Sequence, residues 1–406
     1  MIIKKIIAKK IKNSKREDTI KVFIITDKSK GFASAPYDQE TKYANNQLSQ
    51  NIDETIKTIQ NFKDLIGLEI NSYEDLNKIE EILKKYDHSE NWKNLGGNVL
   101  LALQLAALNA LGNPWEIINP NSKKVPRPIG ICIAGNKTSL ARNPPDFEEF
   151  LIFSLNCHDI DQAIYANQRV YNLMRKYIRK YDKNFNYEIG FNGGWATNLS
   201  NLEIINLLSK ITKYVSSETD FDVDIGINLN ADNLFDGKKY NYKNYSKEEK
   251  QKSFSKKEQI DFVLELIKKH NIKYIENPLE SEDFKGYGEL LKKEKNCFIV
   301  GNNLISTNIS KLEKAIKEKA INSVIIKPNQ ISSLIQLKEF IELAKKNNIF
   351  PIISSSEQET SDTSISHLAS GFELPLLKTG IYGNERTSKL DEIKKIRKQI
   401  KLKLYK

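Results

Sequence analysis

From residue 220 onward the chain alternates short β-rich apolar runs with amphipathic helical stretches, and this alternation restricts the fold more than any other feature. DFDVDIGI (220–227) precedes a helical pattern near 255–270, and IKYIE (272–276) follows it. CFIVG (297–301) leads into a helix across 308–319 and SVIIK (323–327) into one across 331–347, after which come FPIISS (350–355) and ELPLLKTG (373–380). Strand–helix units repeated at this length imply a parallel sheet. Their number favours a closed barrel over an open doubly wound sheet, and no GxGxxG or Walker loop argues for the latter.

Each apolar run ends in a polar residue: Asn228, Glu276, Asn302, Lys327, Ser354 and Lys378. In a barrel of parallel strands these ends share one mouth, where active sites are built. Strand ends are polar in any barrel, so surface termination alone would account for the pattern. Two lysines and a glutamate among them favour a site, because charged groups facing a barrel mouth need partners.

The first part of the chain has a different rhythm. TIKVFIIT (19–26) alternates as a half-buried strand does, and residues 2–8 do so more loosely. Ile52, Ile56, Ile59, Phe62 and Leu65 recur at helical spacing, and a second helix carries Leu76, Ile79 and Leu83 on one face, with Ser72 and Asp75 as its capping pair. Residues 97–111 are apolar nearly all round, the pattern of a core helix. Gln104 and Asn109 interrupt that stretch, and it is too short to cross a bilayer. NPNSKKVPRP (119–128) has three prolines and no periodicity, which marks a linker. The expected division is an α+β domain over 1–122 and a barrel over 123–406.

Length and composition suit an ordinary globular protein of two domains. Cys132, Cys157 and Cys297 are odd in number and far apart, with no CxxC or Cys/His spacing, so they read as reduced thiols. MIIKKIIAKK lacks the apolar core and cleavage site of a signal peptide, and a cytoplasmic protein is expected, with no membrane partner. The net charge of +11 would suit nucleic acid, yet no RGG, zinc-finger or RNP-type motif accompanies it. Lysines spread over solvated helix faces account for the charge.

Longer motifs carry a resemblance. KNLGGNVLLALQLAALNALGNPW (93–115) resembles the KLGANAILGVSLA helix of enolases, and IGFNGGWATN (189–198) resembles their VGDEGGFAPN. YIENP (274–278) is similar to IEDP, IVGNNLISTN (299–308) to IVGDDLTVTN, and VIIKPNQISSL (324–334) to LLLKVNQIGTL. ISSSEQETSDT (353–363) stands where SHRSGETEDT belongs, and LLKTGIYGNER (376–386) where IKTGAPCRSER does. The order is the family's throughout. The resemblance implies an N-terminal α+β lid domain and a C-terminal (β/α)8 TIM barrel with an irregular ββαα start. It also implies the reversible dehydration of 2-phosphoglycerate to phosphoenolpyruvate, with a lysine base, two Mg²⁺ ions, a glutamate general acid and an arginine–serine phosphate clamp. A homodimer is expected by resemblance only, and Lys15 and Arg16 alter the SRGNP turn that bears on it.

Carried over position by position, the implied site is incomplete. Lys327 matches the base, Lys378 the second lysine, and Glu149 of DFEEF the glutamate of QEF. The general-acid glutamate of DEGG is Asn192, and an amide cannot exchange the required proton. Of three metal-binding carboxylates only Glu276 remains, the others being Asn228 and Asn302. The hard Mg²⁺ ion would meet a ligand charge of −1 in place of −3, a weak or absent site. Ser355, Ser356 and Glu357 replace the His–Arg–Ser segment, PYDQETK (36–42) replaces the serine-bearing PSGASTG loop, and IAGNKTSLARNPPD (133–146) rebuilds the SHAGN loop without a histidine.

Three functions are therefore in play. The favoured one is an enolase-like protein without phosphopyruvate hydratase activity that binds a protein, a small anionic metabolite or RNA, with no cofactor. The second is a lyase of changed specificity in which Lys327 acts as base on a small carboxylate. The third is an unusual Mg²⁺-dependent enolase.

Overall fold

The computed structural model describes residues 1–36 and 51–404. The chain opens with an antiparallel sheet of β1 (Ile3–Lys12), β2 (Asp18–Thr26) and β3 (Lys30–Ser34), in the order β1-β2-β3. One face of the sheet packs on the helix Gly97–Leu111, in which Asn109 and Leu111 are the residues not fully buried. Asn109 Nδ2 donates to the Phe32 carbonyl of β3 at 2.9 Å, so this polar interruption serves the sheet–helix contact.

Barrel strands begin at Arg127, one residue beyond Pro126. They are β4 (Arg127–Ala134), β5 (Glu149–Phe153), β7 (Asp224–Asn228), β10 (Tyr274–Glu276), β11 (Phe298–Gly301), β12 (Ser323–Ile326), β13 (Phe350–Ser354) and β14 (Leu376–Lys378). The two-residue β6 (Trp195–Ala196) adds to β4, and β8 (Lys239–Tyr242) with β9 (Lys252–Ser255) forms a separate hairpin. Neighbours run β4-β5-β7-β10-β11-β12-β13-β14, and β14 pairs with β4 to close the ring. Seven of these strands are mutually parallel, whereas β5 is antiparallel to both its neighbours. Between β5 and β7 lie two helices, Ile160–Tyr181 and Asn201–Thr219, so the barrel has the ββαα start that the resemblance implied.

The strand alternation decides what reaches the mouth. Leu151, Tyr274, Val300, Ile325, Ile352 and Leu376 belong to one buried cluster that fills the barrel. Successive residues on a strand point to opposite faces, so the residue two positions along shares the inward face. Two steps from this apolar plug stand Glu149, Glu276, Asn302, Lys327, Ser354 and Lys378. Because β5 runs the other way, its first residue, Glu149, sits level with the last residue of β7, Asn228.

The N-terminal residues and the barrel share buried polar contacts. Gln104 Nε2 donates to the Leu76 carbonyl at 3.0 Å, while its Oε1 accepts the Leu334 N–H at 2.7 Å. The amide that interrupts the apolar helix thus ties the first part of the chain to the helix Leu334–Lys346. Ser14 N–H donates to the Glu359 carbonyl at 2.8 Å, and Lys15 Nζ lies 3.6 Å from Glu357. Among the described residues no helix is long and apolar enough to cross a membrane.

Gln104→Leu keeps the volume but strands a buried carbonyl and a buried N–H, each worth about 1–3 kcal/mol. Its urea unfolding midpoint is expected to fall accordingly, and an unchanged midpoint would contradict the role given to this amide.

Candidate functional site

The side chains carried by the strand ends enclose a cavity of about 30 Å³, room for one or two waters. Glu149, Asn192, Asn228, Asn302, Lys327 and Lys378 all line it, together with Ser354, Ser355, Ser356 and Glu357. Glu276 stands immediately behind Lys378 and is fully buried. The residues singled out from the sequence are therefore brought to one place.

At the centre is a single ammonium group. Lys378 Nζ lies 2.5 Å from Glu149 Oε2 and 2.7 Å from Glu276 Oε2, and all three side chains are buried. The Tyr274 hydroxyl also donates to Glu276 Oε2 from the layer below. The other carboxylate oxygens are held by amides. Asn302 Nδ2 donates to Glu276 Oε1 at 2.7 Å, and Asn192 Nδ2 to Glu149 Oε1 at 3.4 Å. Asn228 Nδ2 is shared between Glu148 Oε2 at 3.1 Å and Glu149 Oε2 at 3.0 Å.

Each amide has its orientation set by these bonds, since an ionised carboxylate can only accept. The Asn228 carbonyl oxygen consequently turns away, to the Asn230 N–H at 3.1 Å and Asn277 Nδ2 at 3.4 Å. Asn192 Oδ1 accepts the Gly194 N–H at 3.1 Å across a turn in which Gly193 takes φ +86°, and Asn192 Nδ2 also reaches Thr138 Oγ1 at 3.0 Å. Thr138 belongs to the rebuilt 133–146 loop, so that loop now holds the residue standing at the general-acid position. Asn302 Oδ1 and Ser356 Oγ are buried and have no hydrogen-bond partner among the described residues.

Burial pushes the Glu149 carboxyl upward, but the Lys378 ammonium outweighs it, helped by the Asn228 amide and the charge of Lys327, and the group lies below the usual carboxylate range. Burial alone would draw the Lys378 ammonium down; Glu149 and Glu276 reverse this and hold it above the usual lysine value. The contribution of Glu149 is present above its unfolded pKa and is lost as pH falls through the depressed folded value. That of Lys378 is present below its unfolded pKa and is lost as pH rises through the raised one. The pair is thus fully formed from about pH 6 to pH 9.

Two charged lining residues had not been singled out from the sequence. Arg386, 3 % exposed, bonds Glu385 through Nη1 and the Phe191 carbonyl through Nη2 at 2.8 Å. It places a cation at the mouth despite the loss of the His–Arg–Ser segment, and its signal was the NER that ends LLKTGIYGNER. Glu148 is the other, adjacent to Glu149 in DFEEF. Glu357, read as a replacement anion, pairs with Lys15, whose ammonium also lies 5.1 Å from the Phe191 ring centre. Of PYDQETK (36–42), residues from 37 onward lie outside the described residues.

Comparison with known proteins agrees with this architecture. Residues 122–404 match the family model described as enolase, C-terminal TIM barrel domain. The chain belongs to the enolase family. The enolase of Methanosphaera stadtmanae is 32% identical to it over 98% of this chain and 97% of the relative. The enolase of Methanothermobacter thermautotrophicus is 33% identical over the same shares, and that of Picrophilus torridus 31% identical over 97% of each. The relatives span both the N-terminal sheet and the barrel, so the likeness is that of whole enolase chains.

Lys378→Met would strand Glu149 and Glu276 in the interior of this enolase-family barrel. A stability loss of about 3–5 kcal/mol is expected near neutral pH. Between about pH 7 and pH 5 the deficit should shrink as the stranded carboxylates take up protons. Urea unfolding of both proteins at the two pH values reads this, and an equal loss at both would contradict the pairing.

Proposed function

We propose that this chain is an enolase-fold protein that does not dehydrate 2-phosphoglycerate and that it acts by binding a protein or a small anionic metabolite in the cytoplasm. The observation that carries the reading is the double ion pair of Lys378 with Glu149 and Glu276, at 2.5 and 2.7 Å. In the family reaction, divalent metal charge neutralises the carboxylate of the substrate as the base removes its proton. Here the carboxylates are compensated by the protein's own ammonium and amide N–H groups.

The donor set does not suit Mg²⁺. A hard cation needs several oxygen donors turned toward it. Asn228 turns its oxygen to Asn230 and Asn277. Both oxygens of Glu276 are engaged, by Asn302, Tyr274 and Lys378. Of the three aligned positions, Asn302 Oδ1 alone is left without a partner among the described residues. Among the described residues no group of three or more histidines, cysteines and carboxylates could hold a metal. The general-acid position also supports the reading, because Asn192 spends its N–H groups on Thr138 and Glu149.

A second reading draws on Lys327, which is 6 % exposed and shares the cavity with Arg386, Asn302 and Ser356. A lysine that shares its cavity with a guanidinium and a buried serine hydroxyl able to donate suits a base acting on a small carboxylate, the lyase of changed specificity.

The test is turnover of 2-phosphoglycerate with millimolar Mg²⁺, followed by the ultraviolet absorbance of the enol phosphate, on protein purified free of host enolase. No turnover above background is expected. Turnover above about 1 s⁻¹, abolished by Lys327→Ala, would overturn the proposal and restore a working enolase.

A further inference from the structure

The outer wall of the barrel carries a second concavity that shares no lining residue with the mouth. Helices Ile160–Tyr181 and Asn201–Thr219 leave a groove of about 660 Å³ between them. Its floor is aliphatic, from Leu173, Leu207 and Ile211. Tyr177, Tyr181 and Tyr214 line it at 38, 59 and 52 % exposure, a cluster of large rings left in water. Exposed aromatic side chains gathered round an apolar concavity mark interaction surfaces, because such rings bury much area at little entropic cost.

Charge identifies the occupant. Lys176, Lys210 and Lys247 stand around the groove, and none of them forms an ion pair among the described residues. The carboxylates nearby are already committed: Glu218 to Arg169 at 2.9 Å, and Glu203 to the Ser200 N–H at 3.0 Å as a helix cap. The groove therefore presents a net positive charge around an aliphatic floor, with three lysines against the one lining carboxylate, Glu203.

We infer that this groove docks an acidic, amphipathic segment of a partner protein, whose apolar side chains enter between the tyrosines while its carboxylates meet the lysines. The floor is what favours a peptide over nucleic acid. A phosphate backbone tracks a stripe of cations with flat ring faces for stacking, whereas a concavity floored by branched aliphatic side chains complements leucine-like anchors presented by a helix. The inference stands whether or not the barrel mouth is catalytic.

Selection of phage-displayed random peptides on the immobilised full-length chain tests it, with synthetic copies of the selected peptides titrated by fluorescence anisotropy. Selected peptides are expected to be enriched in aspartate and glutamate around aliphatic residues and to bind more weakly as salt rises. The double variant Lys176→Glu, Lys210→Glu should weaken them at least about tenfold, and Tyr177→Ala should weaken them without changing the salt dependence. Both changes are on exposed side chains, and an unchanged thermal melt checks the fold; Lys210→Gln serves if the double variant melts early. No enriched peptide, peptides without acidic bias, or equal binding to the variants would overturn the inference. So would oligouridylate that binds the chain and is lost in the double variant, since the surface would then belong to nucleic acid.

Discussion

A buried ammonium between two buried carboxylates is the interaction on which the mouth of this barrel depends. Lys378 on β14 reaches Glu149 on β5 and Glu276 on β10, three strands that are not neighbours in the ring. An isolated charge at that depth would cost several kcal/mol, and the geometry offsets it by giving each ion a close partner and further hydrogen bonds. The same contacts span the top of the barrel, so site and fold share one constraint. Removing the ammonium would leave both carboxylates without a cationic partner, whereas removing one carboxylate would leave a single ion pair.

Asparagine at 228 and 302 belongs to this arrangement rather than standing beside it. An aspartate at 228 would set an anionic oxygen against Glu148 Oε2 and Glu149 Oε2, where the Asn228 amide now donates at 3.1 and 3.0 Å. An aspartate at 302 would do the same to Glu276 Oε1. Carboxylates at both positions call for a cation among them; amides turn the same contacts into hydrogen bonds. Asn192 extends the pattern to the other oxygen of Glu149. Three amides at aligned positions therefore form one coherent solution to a mouth compensated by lysine, and this is why they are read together rather than as separate losses.

Much of this was legible in the chain itself. Period-two alternation carried the inward face of each parallel strand to a polar end, so Asn228, Glu276, Asn302, Lys327, Ser354 and Lys378 could be placed at one mouth from pattern alone. The buried helix 97–111 was equally plain, because apolar residues on every face leave it no solvent side. Glu149 was not accessible that way: it begins an antiparallel strand, and only the family motif identified it. Gln104 read as an interruption, since its role depends on Leu334, which is distant in sequence. Arg386 was hidden for a related reason, lying at the start of the helix Asn384–Leu404 beyond the last barrel strand. The paired helices 160–181 and 201–219 did not stand out beside the regular units after residue 220, and neither did the groove between them.

The claim most open to direct test is that the protein's own ammonium and amides, not a metal ion, compensate the carboxylates at the mouth. Crystals grown in millimolar Mn²⁺, a hard cation with strong anomalous scattering that oxygen sites accept in place of Mg²⁺, settle where the charge resides. The account predicts no anomalous peak among residues 228, 276 and 302, with the Lys378 ammonium still bonded to Glu149 and Glu276. A peak at about 2.1–2.3 Å from three protein oxygens there, with Lys378 displaced, would contradict it.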